Sequence, residues 1–229
     1  VLLGLKVSGG DATPDNVALL DHDDDHIKKE AMSLIMDIPK EKLKELIHHP
    51  HNDVALHALH HPSVYEPHLK HALEADNPIL HAAVAGHPKI TEHVFNSILG
   101  AAHIPVETKC HAVGNPECEA HWLAPVLHDA TDVEHDDRHR MAVHAMFHPK
   151  MPEEEIVKFL HDAQCPTMRK MAALNVRGYD TIKGLLESDK VPMSVKKVLI
   201  ASRNFDKSQW WTIKDPHARA EAKRLADVE

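Results

Sequence analysis

Long apolar runs are missing from this 229-residue chain: no stretch approaches 18 apolar residues, which excludes a membrane-spanning helix of ordinary length. Cysteine is scarce. Cys110, Cys118 and Cys165 cannot build a disulfide framework, and that points to a reducing, intracellular and by expectation cytoplasmic setting. Eight glycines and 4% aromatic residues argue against an all-β sandwich, whose strands and turns draw on both. Val1 to Val7 is too short for a signal peptide and lacks a basic lead-in. No glycine-rich phosphate loop, nucleophile elbow or Cys/His catalytic pattern is present.

Histidine is abundant and unevenly placed. Of 23 histidines, 22 precede residue 165, and His217 is the exception. Charge follows the same divide. Residues 165–229 carry 13 Lys+Arg against 8 Asp+Glu, whereas residues 1–164 carry 13 against 27. The acidic part repels phosphate backbones, so nucleic acid is an unlikely partner except through the basic C-terminal third. Exposed imidazoles titrate near pH 6.5, so acidification to about pH 5.5 would turn the net charge of −9 positive.

The chain repeats itself. A short Ala/Val-rich run ends in His-Pro or Asn-Pro at His61-Pro62, His87-Pro88, Asn115-Pro116 and His148-Pro149. Cutting after each proline gives units 38–62, 63–88, 89–116 and 117–149, with weaker copies at about 13–37, 150–178 and 179–204. Each unit reads as two short helices. The first carries apolar residues at i, i+3 and i+4: Leu43/Leu46/Ile47, Leu69/Ala72/Leu73, Phe95/Ile98/Leu99, Leu123/Val126/Leu127, Ile156/Phe159/Leu160 and Ile182/Leu185/Leu186. The second is predicted at Asn52–His60, Pro78–Ala85, Val106–Val113, Asp137–Phe147, Pro166–Asn175 and Met193–Ser202. The His-Pro step stops it, because the residue before proline is pushed out of the α region. The step proline is expected in the first turn of the next helix, where its missing N–H costs nothing. A last helix is expected from Asp215 to Glu229.

Helices this short are marginal alone and bury their stripes only by stacking on neighbours. The expectation is an all-α fold: an α-solenoid of about seven two-helix repeats over 13–204, with an N-terminal extension (1–12) and a C-terminal capping segment (205–229). The Ala-Val-x-His/Asn-Pro ending followed by a Leu-x-x-Leu-Leu-like stripe resembles the leucine-rich-repeat variant family of HEAT-like α-solenoids, best over residues 38–178. That resemblance implies a curved array of paired helices presenting an extended surface to a protein partner. Some members carry an iron–sulfur cluster on a separate cysteine-rich segment; no cysteine precedes Cys110 here, so that cofactor is not carried over.

Aligned on the step, one column holds His57, Ala83, His111 and His144, and the step itself holds His61, His87, Asn115 and His148. Stacking would line these imidazoles into a ridge, as a partner surface or as repeat inheritance in which the ring caps backbone groups near the proline. Trp210 and Trp211 form the one aromatic cluster, either sealing the end of the array or serving as a second binding patch. The i,i+4 pairs His22/His26 and His135/His139 sit in acidic segments and match no His-Glu-x-x-His motif. Cys110, His111, Cys118 and His121 have the liganding types for zinc or iron without a zinc-finger spacing, and Cys110 shares an apolar column with Leu56, Ala82 and Val143.

No histidine is followed by glutamate, against the two-iron HEAT-repeat hydroxylases. His-Asp pairs, as in metal-dependent HD phosphohydrolases, are expected by chance in a chain with 23 His and 35 acids, and the short repeat conflicts with that fold's longer helices. The expected function is therefore a non-enzymatic protein-interaction or structural scaffold with no committed cofactor. A metal-binding or metal-dependent hydrolytic solenoid is the alternative, and a HEAT-like nucleic-acid binder is the third reading. The absence of Met at Val1 and the end at Val228-Glu229 suggest a piece of a longer protein or a matured product, as in some virion structural proteins.

Overall fold

The computed structural model describes residues 14–131 and 137–227, and among them every regular element is helical. The chain divides after Glu117 into two compact units, within a residue of the repeat boundary at 116/117.

The first unit opens with α1 (Pro14–Ala18), a 3-10 turn (Leu19–Asp21) and α2 (Asp25–Leu34). Three helix pairs follow: α3 (Lys40–Ile47) with α4 (Asn52–Leu59), α5 (Glu66–Glu74) with α6 (Pro78–Ala85), and α7 (Glu92–Gly100) with α8 (Val106–Val113). Within each pair the helices pack on each other. Across pairs α3 meets α5 and α5 meets α7, while α2, α4, α6 and α8 pack in succession, so first and second helices form two layers. The second unit holds α9 (Ala120–His128) with α10 (Asp137–Met146), α11 (Glu153–Asp162) with α12 (Pro166–Asn175), and α13 (Tyr179–Glu187) with α14 (Met193–Ala201). A 3-10 segment (Lys207–Thr212) and α15 (Pro216–Ala226) complete it. There α10, α12, α14 and α15 pack in succession.

Every first-helix stripe residue named above is buried except Leu99, which is half-buried. Burying a Leu, Ile or Phe is worth about 1.5–3 kcal/mol, which short helices cannot collect in isolation. Each second helix ends within one residue of its predicted end. Side-chain caps start several helices: Asn77 accepts from the N–H of Ile79, Thr91 from Val94 and Asp215 from Ala218.

The step prolines differ from expectation. Pro62, Pro88 and Pro149 lie at least three residues ahead of the next helix, at the second position of a β-turn closed by Val64 N–H to His61 O (2.9 Å), Ile90 to His87 (3.1 Å) and Met151 to His148 (3.0 Å). Proline's fixed φ suits that turn position. Prolines that do start helices include Pro78 and Pro166, which lie between the two helices of a unit.

Candidate functional site

The step residues are buried: His61, His87, Asn115 and His148, and in the same register Asn175 and Ser202. Their bonding explains why His and Asn alternate. His61 accepts the Ser63 N–H at Nδ1 (3.1 Å) and donates from Nε2 to the Ile35 carbonyl (2.8 Å). His87 accepts from Lys89 N–H (3.0 Å) and donates to Leu59 O (3.1 Å). Asn115 accepts from Glu117 N–H at Oδ1 (2.9 Å) and donates from Nδ2 to Ala85 O (2.8 Å) and His87 O (3.1 Å). The near acceptor serves the first N–H after the proline, as in an Asx-turn, and the far donor reaches a carbonyl of the preceding repeat. His148 accepts in the same way from Lys150 N–H at 3.2 Å.

A ring that accepts at Nδ1 and donates from Nε2, as those of His61 and His87 do, carries a proton on Nε2. For His87, burial drives the pKa below the ordinary imidazole value, partly opposed by the bond to Leu59 O. Asn175 and Ser202 instead bond carbonyls of their own helices, Met171 O and Leu199 O, and Asn204 carries the link to the preceding repeat at Val176 O (2.9 Å). The step column is thus spent on internal stapling, and its rings offer a partner almost no surface. Sequence alignment on His-Pro missed Asn175 and Ser202, which lack the proline; the buried pattern of their helices would have placed them.

The outer column stays at the surface. His111 and His144 are exposed and His57 is half-buried, with Ser33 Oγ 3.0 Å from its Nε2. Burial and the nearby Lys29 lower the pKa of His57. The His111 ring lies against Gly86, where an added Cβ would sit 3.0 Å from its Cε1 and would push that exposed ring aside.

In the second unit the same two outward positions are occupied by His144 with Phe147, Met171 with Leu174, and Val198 with Ala201. Phe147 and Leu174 are 49% and 50% exposed. Arg140, Lys170 and Lys197 are exposed one helical turn away, at i,i+4 to His144, Leu174 and Ala201. This basic-edged apolar stripe on α10, α12 and α14 was legible as the residue before each step, a position the histidine columns overshadowed.

The other candidates sit on several elements. Cys110 and the exposed His111 lie on α8 of the first unit, whereas Cys118 and His121 belong to the second. Cys118 is fully buried at the turn position held elsewhere by Val64, Ile90 and Met151, and His121 is exposed, edge-on to Trp122 at 5.9 Å. All three cysteines are buried free thiols. His139 is buried in α10, and its partner His135 lies outside the described residues. Trp210 is half-buried with Lys223 Nζ 5.3 Å from its ring, and Trp211 is 66% exposed.

Ligand atoms of metal-binding type do converge elsewhere. Among the described residues, Asp25, His49 and His51 bring one oxygen and two ring nitrogens within 4.8 Å of one another. His51 Nδ1 bonds Asp25 Oδ2, and His49 Nε2 lies 3.6 Å from Asp25 Oδ1. Lys28 Nζ sits 2.9 Å from His49 Nε2 and 3.7 Å from Asp25 Oδ1. The bond from His51 lowers the pKa of Asp25, and burial followed by the Lys28 charge lowers that of His49.

No helix among the described residues is long and apolar enough to cross a membrane. Comparison of the chain with protein-family models, curated proteins and solved structures finds no match.

Proposed function

We propose that this chain is a non-enzymatic protein-interaction module, an α-solenoid of about seven two-helix repeats of the leucine-rich-repeat-variant kind. The repeat reading rests on bonds that recur about one unit apart in sequence: Asp25–His51, Ser33–His57, Thr91–Glu66, Asn115–Ala85, His128–Glu155 and Asn204–Val176. The interaction reading rests on the stripe of Phe147, Met171, Leu174 and Val198, part of it well exposed and edged by Arg140, Lys170 and Lys197. Apolar side chains as exposed as Phe147 and Leu174, flanked by half-buried Met171 and Val198, fit a binding face. The matching partner is an amphipathic helix that lays an apolar face along the stripe and acidic residues along its edge.

The test compares wild type with the double variant Phe147→Asp/Leu174→Asp, both immobilised at equal density after circular dichroism and melting confirm the fold. A protein retained by wild type, released by moderate salt and lost by the variant supports the reading. Identical retained sets overturn the surface, and substrate turnover by the purified chain overturns the non-enzymatic assignment.

A further inference from the structure

We propose that Asp25, His49 and His51 form a binding site for one divalent transition-metal ion of the zinc class, with Lys28 as a built-in competing cation. One carboxylate and two imidazoles are a borderline donor set suited to zinc or cobalt, leaving a fourth position for water. Bonds of about 2.0–2.2 Å place tetrahedral ligand atoms roughly 3.3 Å apart. The observed atoms lie within 4.8 Å, with 3.6 Å between His49 Nε2 and Asp25 Oδ1, so side-chain rotation alone closes the set.

The ligands come from different elements: Asp25 from the first turn of α2, His49 and His51 from the loop into α4. A bound ion therefore staples consecutive repeats.

Lys28 supplies the second argument. An ammonium group only donates, so at 2.9 Å from His49 Nε2 it needs the ring's lone pair there, the lone pair a metal takes. The same group lies 3.7 Å from Asp25 Oδ1 and so stands where a cation is held. With its Nε2 lone pair facing the lysine, the His49 ring carries its proton on Nδ1, so binding need only send the flexible lysine to solvent and displace the proton shared by His51 and Asp25. In that tautomer the N–H of exposed His51, 3.2 Å from His49 Nδ1, is served by water.

The experiment titrates zinc into untagged, chelator-dialysed full chain by calorimetry, with cobalt absorption as a second readout. Expected are one dominant site per chain and a rise in melting temperature. His49→Ala and Asp25→Asn should each weaken that site at least tenfold, with the metal-free chain still folded by circular dichroism. Lys28→Met should tighten it about fivefold or more by removing the competitor. Absence of saturable binding overturns the site. Binding untouched by His49→Ala overturns it equally, by placing the ion among the other histidines. A Lys28→Met affinity equal to wild type overturns the competing role of the lysine.

Discussion

The two units bury the same pattern and expose different ones. In the first, step residues His61, His87 and Asn115 reach back to carbonyls of the preceding repeat, and the outward positions hold His57 and His60, Ala83 and Gly86, His111 and Gly114. In the second, Asn175 and Ser202 bond within their own helices, Asn204 carries the link, and the outward positions other than His144 become apolar with a basic edge. The inside of a repeat is constrained because each unpaired buried polar group costs on the order of 1–3 kcal/mol. The outside carries no such penalty and is where one repeat is made to differ from another.

The largest break in this comparison comes from the stapling residue of the first unit. His87→Ala leaves Leu59 O and Lys89 N–H without their partner in a buried gap and should cost about 2–4 kcal/mol in urea unfolding. His87→Asn, which restores both bonds in the manner of Asn115, should recover at least half of that loss. Next is Lys196→Met in the second unit. Lys196 is 4% exposed and its ammonium lies 2.6 Å from Asp215, so removal strands a carboxylate that still caps α15 through Ala218. A loss of about 1–3 kcal/mol, with faster hydrogen exchange in α15, is expected.

Acid should loosen the first unit through its buried imidazoles. Burial is the leading cause holding His49, His57, His68 and His87 below the ordinary histidine value. Their contribution is therefore complete above the unfolded pKa near 6.5 and is lost as pH falls through the depressed folded values. Rate-corrected hydrogen exchange on metal-free protein at pH 7.5 and 5.5 should show protection falling in α4 and α6; unchanged protection would refute the linkage. The smallest effect belongs to Ser202→Ala, whose hydroxyl donates only to Leu199 O of its own helix, at about 0.5–1.5 kcal/mol. A loss equal to that of His87→Ala would erase the distinction between stapling and local bonding.

Much of the fold was legible because it is locally written. Stripes at i, i+3, i+4 and the His/Asn-Pro steps specify short helices and their ends without reference to distant residues, and α6, α8 and α12 match their predicted spans. The step prolines were misplaced by one turn type, because proline fits both a helix start and a β-turn and only the bond from Val64 to His61 separates the two. The site was less legible. Columns of histidine looked alike in sequence, yet a shift of four residues along a helix takes a side chain from the buried His148 to the exposed His144.

By itself, then, the sequence determined the helical pairs, their lengths and the residues that fill their interior, since periodicity and chain-breaking act over a few residues. Which polar side chains are consumed as staples, which apolar ones face water, and which ligands from different repeats meet was decided only by tertiary structure. Those outcomes depend on packing between segments some 25 residues apart, and no local pattern encodes which faces will meet.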